Sequence, residues 1–158
     1  MAYWLMKSEP DVFGINDLAQ RPLQTELWDG VRNYQARNYL KSMQVGDLAF
    51  FYHSNAKPPG IAGIVTISRT AYPDPTQFDK HSPYFDERSN PTDPRWMSVD
   101  VTLVTIFEHL ISLDALRAQP ALADLPLLRR GNRLSVLPMA PSAWEIINRM
   151  ANMPVSHA

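Results

Sequence analysis

The segment MSVDVTLVTIF at residues 97–107 decides the fold. Successive side chains of an extended chain point to opposite faces, so Met97, Val99, Val101, Leu103 and Phe107 share one side while Ser98, Asp100 and Thr102 share the other. That alternation predicts a long strand with one buried side. Before it, residues 2–7 (AYWLMK) and 48–53 (LAFFYH) are apolar runs of strand length, and residues 61–69 are rich in β-branched side chains, which suit a pleated surface. Short helices fit between them. Ile15, Leu18 and Ala19 recur at helical spacing ahead of Pro22, and over residues 33–43 Ala36, Leu40 and Met43 fall on one face before Gly46. After the long strand come a short helix at 113–118, a turn at Arg130-Gly131-Asn132, and a strand at 134–137. A last helix follows Pro141, with Ser142 and Glu145 spaced as a capping box. Helices this few and short do not suit a doubly wound parallel fold. The pattern predicts an α+β domain on a curved antiparallel sheet or small open barrel.

The composition bounds the function. The 158 residues are 45% hydrophobic and 20% charged, which excludes a disordered chain and predicts one domain over 1–158. Fifteen Lys and Arg against 16 Asp and Glu give a net charge of −1, which excludes polybasic binding to nucleic acid but leaves room for local patches. Cysteine is absent, so there is no thiol nucleophile, disulfide or cysteine-held zinc. The histidines (His53, His81, His109, His157) form no H-x-x-x-H pair, and neither a metal nor a cofactor is expected. No phosphate-cradling glycine motif or G-x-S-x-G elbow is present. The N-terminus turns charged at Lys7, and no stretch approaches the roughly 20 apolar residues of a membrane span. The expected location is the cytoplasm.

Polar and aromatic residues gather where strands and helices end: Lys7-Ser8-Glu9-Pro10, the segment from Trp28 through Asp29 and Gly30 to Tyr34, and Tyr52-His53-Ser54-Asn55. Such ends carry unpaired backbone donors, and binding groups collect on loops held by a rigid scaffold. Gly30 beside Trp28 leaves space for a planar group to approach. Residues 72–95 stand apart. They hold Pro73, Pro75, Pro83, Pro91 and Pro94, which argue against helix or central strand, and predict a long loop that either connects or carries function.

Six segments in order, YWLMKSEP (3–10), WDGVRNYQARN (28–38), GDLAFFYHS (46–54), PGIAG (59–63), PRW (94–96) and RLSVLP (133–138), resemble the EVE domain family over residues 3–150. The resemblance implies a PUA-like fold, related to the YTH, ASCH and SRA-type domains: a curved, mostly antiparallel sheet or pseudo-barrel with short helices packed around it. It also implies a module that binds a modified nucleobase in DNA or RNA without turning it over. By matching motif, the pocket residues are Ser8, Trp28, Gly30, Asn33, Tyr34, His53, Ser54 and Trp96, with Arg133 and Ser135 at its rim. Arg32, Arg37, Arg129 and Arg130 are the candidates for backbone phosphates.

The chemistry of those residue types agrees. An unstacked base needs an aromatic platform and hydrogen bonds to its edge, and stacking contributes roughly 1–3 kcal/mol per base. Trp28, with Tyr34 or Trp96, would stack; Asn33 offers both a donor and an acceptor; Ser8, Ser54 and His53 would add single bonds. Each also has a plain structural use: Trp28 as core, Asn33 as a helix cap, Tyr34 at a helix start, His53 at a strand end, and Trp96 beneath the proline-rich loop. Two other functions fit the sequence. One is an ASCH-like amidohydrolase acting on a modified nucleoside, with Lys7 as base and Glu9 or another carboxylate as its partner. The other is a protein-interaction role for residues 72–95.

Overall fold

The computed structural model describes residues 1–152; His157 and the end of the 1–158 domain lie outside the described residues. Six strands form one mixed sheet: β1 (Tyr3–Ser8), β2 (Thr25–Trp28), β3 (Leu48–His53), β4 (Gly60–Pro73), β5 (Met97–Ser112) and β6 (Val136–Met139). Their order across the sheet is β2-β5-β4-β3-β1-β6. Only β1 and β3 run parallel, in register from Tyr3 opposite Leu48 to Ser8 opposite His53; the other pairs are antiparallel. Among the described residues the α-helices are α1 (Pro10–Phe13), α2 (Ile15–Gln20), α3 (Tyr34–Ser42), α4 (Leu113–Arg117) and α5 (Pro141–Asn152). This is the α+β architecture expected from the sequence.

Both faces of the sheet are covered. Trp4, Met6, Phe51, Val65 and Val99 pack with Leu18, Ala36 and Leu40 of α2 and α3 on one face. Leu5, Phe50, Tyr52 and Ile61 pack with Leu116 of α4 and Trp144 and Ile147 of α5 on the other. That is why the central strands read as unbroken apolar runs: a strand enclosed on two sides has no wet face to alternate with. Trp144 ties the second layer together, stacking on Phe50 at 3.9 Å and on Tyr3 at 4.6 Å.

Several expectations need correction. The long strand extends to Ser112, and its first part is buried on both sides, with Ser98 and Val99 each fully enclosed. Ser98 Oγ is a buried hydroxyl without a hydrogen-bond partner among the described residues. β2 and α1 were not expected, since each is too short to show a period. Helix α5 begins at Pro141, so Ser142 and Glu145 lie inside it and form no capping box. Proline suits that first position, where its missing N–H is no loss.

The proline-rich segment is an ordered strap. Tyr72 and Pro73 end β4, and residues 75–78 form a short 3-10 turn. Fully buried Gln77 organises the remainder of the strap: its Nε2 donates to the carbonyls of Asp74 (2.7 Å) and Trp96 (2.8 Å), and its Oε1 accepts from Ser89 Oγ and the Trp96 amide. A buried amide with all its bonds made fixes a loop that has no ladder of its own.

Candidate functional site

The parallel pairing of β1 with β3 brings two strand ends together. The Ser54 amide donates to the Ser8 carbonyl at 3.0 Å, and the Lys7 amide donates to the Ser135 carbonyl at 2.8 Å. Above these ends opens a cleft of about 850 Å³, lined by Lys7, Ser8, Glu9, Val12, Phe13, Arg21, Glu26, Leu27, Trp28, Asp29, Gly30, Val31, Ser54, Tyr84, Arg133 and Ser135. Six of the residues expected from the sequence meet here: Ser8, Trp28, Gly30, Ser54, Arg133 and Ser135.

Charge in the cleft is mixed. Arg21 and Glu26 satisfy each other at 2.7 Å. Burial lowers the Lys7 ammonium below its usual range. Burial also raises the Asp29 carboxyl, and the carboxylate of Asp74 adds to the effect. Tyr84 is raised as well, first by burial and then by Asp29 and Glu9, so its phenol stays protonated and is a hydrogen-bond donor. Ser8 Oγ donates to the Phe13 carbonyl at 2.6 Å and keeps lone pairs for an incoming donor.

The other expected base-contacting residues, Asn33, Tyr34, His53 and Trp96, do not line the cleft. Asn33 caps α3, its Oδ1 accepting from the Ala36 amide at 3.0 Å. Tyr34 stacks outside the cleft on Trp96, with centroids 4.8 Å apart, and Trp96 is buried with Nε1 donating to Asp86 at 2.8 Å. His53 Nε2 accepts from the Ile15 amide at 3.2 Å, joining β3 to α2; burial lowers its pKa and keeps that nitrogen an acceptor. Trp28 does line the cleft, yet it is only 6% exposed and sits edge-on to Phe51 at 5.3 Å. It belongs to the core as much as to the cleft wall.

The arginines divide in the same way. Arg32 is committed internally: it donates to buried Asp74 (2.9 Å), to the Tyr84 carbonyl (2.8 and 3.1 Å) and to Thr76 Oγ1 (3.2 Å). Arg37 donates to the Arg95 carbonyl at 3.0 Å and lies over the Tyr34 ring at 4.8 Å. Both hold the proline-rich strap against the start of α3, and neither lines the cleft. Arg129 and Arg130 are exposed but do not line the cleft, whereas exposed Arg133 does.

Sequence reasoning missed Phe13 and Tyr84 altogether, and it gave Lys7 and Glu9 individual roles only in hydrolysis, though both stood in a segment marked as a binding end. Asp29 stood inside a quoted segment without being singled out. Tyr84 had one signal, Gly30. A Cβ at Gly30 would meet the Tyr84 ring at 2.7 Å, so the planar group for which that glycine leaves space is the protein's own. Among the described residues there is no cluster of three or more metal-ligating side chains, and no helix is long and apolar enough to cross a membrane.

Comparison with known proteins supports this frame. The family model of the EVE domain matches residues 2–150. Mouse thymocyte nuclear protein 1 is 46% identical over 162 residues, covering 92% of this chain and 71% of that protein. The crystal structure of human THYN1 protein in complex with 5-methylcytosine-containing DNA superposes with a TM-score of 0.93 at 40% identity, covering 98% of this chain and 100% of that one. The YTH domain of Zygosaccharomyces rouxii MRB1 protein shares the fold alone, with a TM-score of 0.55 at 12% identity over 99% of this chain and 90% of that one. The expected cytoplasmic location is corrected by these relatives, since the mouse and human proteins are named as nuclear. Lack of a membrane-spanning helix, on which the expectation rested, does not separate the two compartments. The sheet, the cleft and the sequence likeness along nearly the whole length converge: the chain belongs to the EVE domain family.

Proposed function

We propose that this protein is a non-catalytic module that binds nucleic acid by admitting a modified base to the cleft at the ends of β1 and β3. The observation that carries the reading is the cleft itself. About 850 Å³ holds a nucleobase with part of its sugar, and the lining pairs aromatic and aliphatic surface (Phe13, Trp28, Val31, Tyr84) with donors and acceptors (Ser8, Asp29, Ser54, Ser135). That the human relative was crystallised with 5-methylcytosine-containing DNA supports the choice of ligand class. Whether DNA or RNA is the natural host, the same lining serves, because it addresses the base. Arg133 at the rim, with Arg129 and Arg130 on the adjoining turn, is the side from which a phosphate would be held. The single domain expected over residues 1–158 belongs to the same proposal.

The amidohydrolase alternative is less well supported. Lys7 is lowered by burial, as a base would be, but it has no carboxylate partner within ion-pairing distance among the described residues. The deciding experiment measures binding of matched DNA and RNA oligonucleotides with and without single modified bases, 5-methylcytosine first. Bound nucleosides recovered from affinity-purified protein are then identified by mass spectrometry. The expected result is a preference for modified over plain oligonucleotide with every nucleoside returned unchanged. Equal binding across the panel would refute the proposal, and a product that depends on Lys7 would favour hydrolysis.

A further inference from the structure

Three aromatic rings border the cleft: Phe13, Trp28 and Tyr84. Trp28 is 6% exposed, and Phe13 carries the Arg21 guanidinium over its ring at 5.3 Å. Tyr84 differs in coming from the proline-rich strap; like Phe13 it is partly buried, and it lines the cleft with Asp29 and Glu9, its phenol raised first by burial and then by those carboxylates. Its position is held by Arg32, which lies over one face of the ring. The Tyr84 carbonyl takes two bonds from Arg32, the guanidinium of Arg32 lies 5.7 Å from the Tyr84 ring, and Arg32 is anchored in turn on buried Asp74 and on Thr76. Gly30 opposite leaves the ring its place, since any Cβ there would meet it.

Resting on the function proposed above, we infer that Tyr84 is a base-contacting residue and that Arg32 and Asp74 are its positioning residues. The strap of residues 74–96 is then part of the recognition apparatus rather than a connection. The ring adds its partly exposed aromatic surface to the wall that Trp28 and Phe13 form, and its phenol is the donor offered to the edge of whatever base enters.

Direct contact is tested by photocrosslinking. Wild-type protein is irradiated with a single-stranded DNA oligonucleotide carrying 5-iodocytosine at one position, and the joined peptide is mapped by mass spectrometry. A link within the peptide that contains Tyr84 is expected, and links confined to other peptides overturn the inference. In parallel, binding of the 5-methylcytosine oligonucleotide is compared for wild type, Tyr84→Ala and Tyr84→Leu, with folding of each variant checked by circular dichroism. Losing a stacked ring weakens binding by about 5- to 150-fold. Retention of wild-type affinity in either folded variant overturns the inference alone. If wild-type protein shows no preference for any modified oligonucleotide, the underlying function fails, and this inference falls with it.

Discussion

Replacing Asp74 by alanine removes the joint on which the strap turns. Its side chain is fully buried, and its two oxygens accept four hydrogen bonds: from the Gly30 amide (2.9 Å) and Arg32 Nη1 (2.9 Å) on one, and from the Thr76 amide (2.8 Å) and Thr76 Oγ1 (2.6 Å) on the other. Without it the Arg32 guanidinium keeps the carbonyls of Val31 and Tyr84 but loses its only ion-pair partner among the described residues. Breaking a buried ion pair from one side costs about 3–5 kcal/mol. Because the Arg32 side chain is 22% exposed, water recovers part of that, and about 3 kcal/mol is the better expectation. For a domain of this size each kcal/mol moves the melting temperature by about 2–4 °C, so the midpoint falls by roughly 6–12 °C. Asp74→Asn, which keeps the shape and one acceptor oxygen, should fall in between. The assay is thermal unfolding followed by circular dichroism, with limited proteolysis of the native state as a local reading, because the strap can also detach without global unfolding. A midpoint within about 2 °C of wild type and a strap no more easily cut would show that Asp74 is not the joint.

The same geometry sets three further outcomes. Gly30→Ala and Gly46→Ala both strain a backbone at positive φ (79° and 94°), but only the first drives a Cβ into a neighbour, the Tyr84 ring. Strain alone costs about 1–2 kcal/mol, and Gly30→Ala should exceed Gly46→Ala by roughly a further kcal/mol in urea unfolding; equal losses would mean the ring yields freely. Trp28→Ala should cost about 3–5 kcal/mol, since the indole is core against Phe51, which makes Trp28→Phe the better binding probe; a loss near zero would place the ring outside the core. Finally, burial pushes the Asp47 carboxyl up, but bonds from the Gln44 and Ala2 amides and the Trp4 indole outweigh it and hold it below its usual 3.8. A depressed folded pKa contributes stability that is complete above 3.8 and is lost as the pH falls through the folded value. Asp47→Asn should therefore be less stable at neutral pH and show a flatter acid limb; parallel pH profiles would exclude the linkage.

What could be read from the residues alone was whatever a local period or a local steric rule dictates. The alternation of 97–107 gave a strand, the unbroken apolar runs LAFFYH and WLM gave strands, and Ala36 with Leu40 gave the buried face of α3. The order of the signature segments gave the family. Yet alternation could not tell one covered face from two, which is why Ser98 was expected in water and is enclosed. The site divides along the same line. Ser8 and Ser54 were legible because strand ends collect polar groups, and the parallel register of β1 and β3 then sets them side by side. Asn33, His53 and Trp96 carry the right chemistry for a pocket, but one polar atom of each is used away from the cleft, in a helix cap, a strand-to-helix bond and an indole–carboxylate bond. Tyr84 had no local pattern to mark it. Its place depends on a carboxylate buried at Asp74 in the same strap, and on an arginine at 32 and a missing side chain at 30, which lie far from it along the chain and meet it only when the strap packs against the start of α3. A chain spells out periods because each residue feels its near neighbours, whereas the walls of a cleft are set by which distant segments pack, and only the folded molecule decides that.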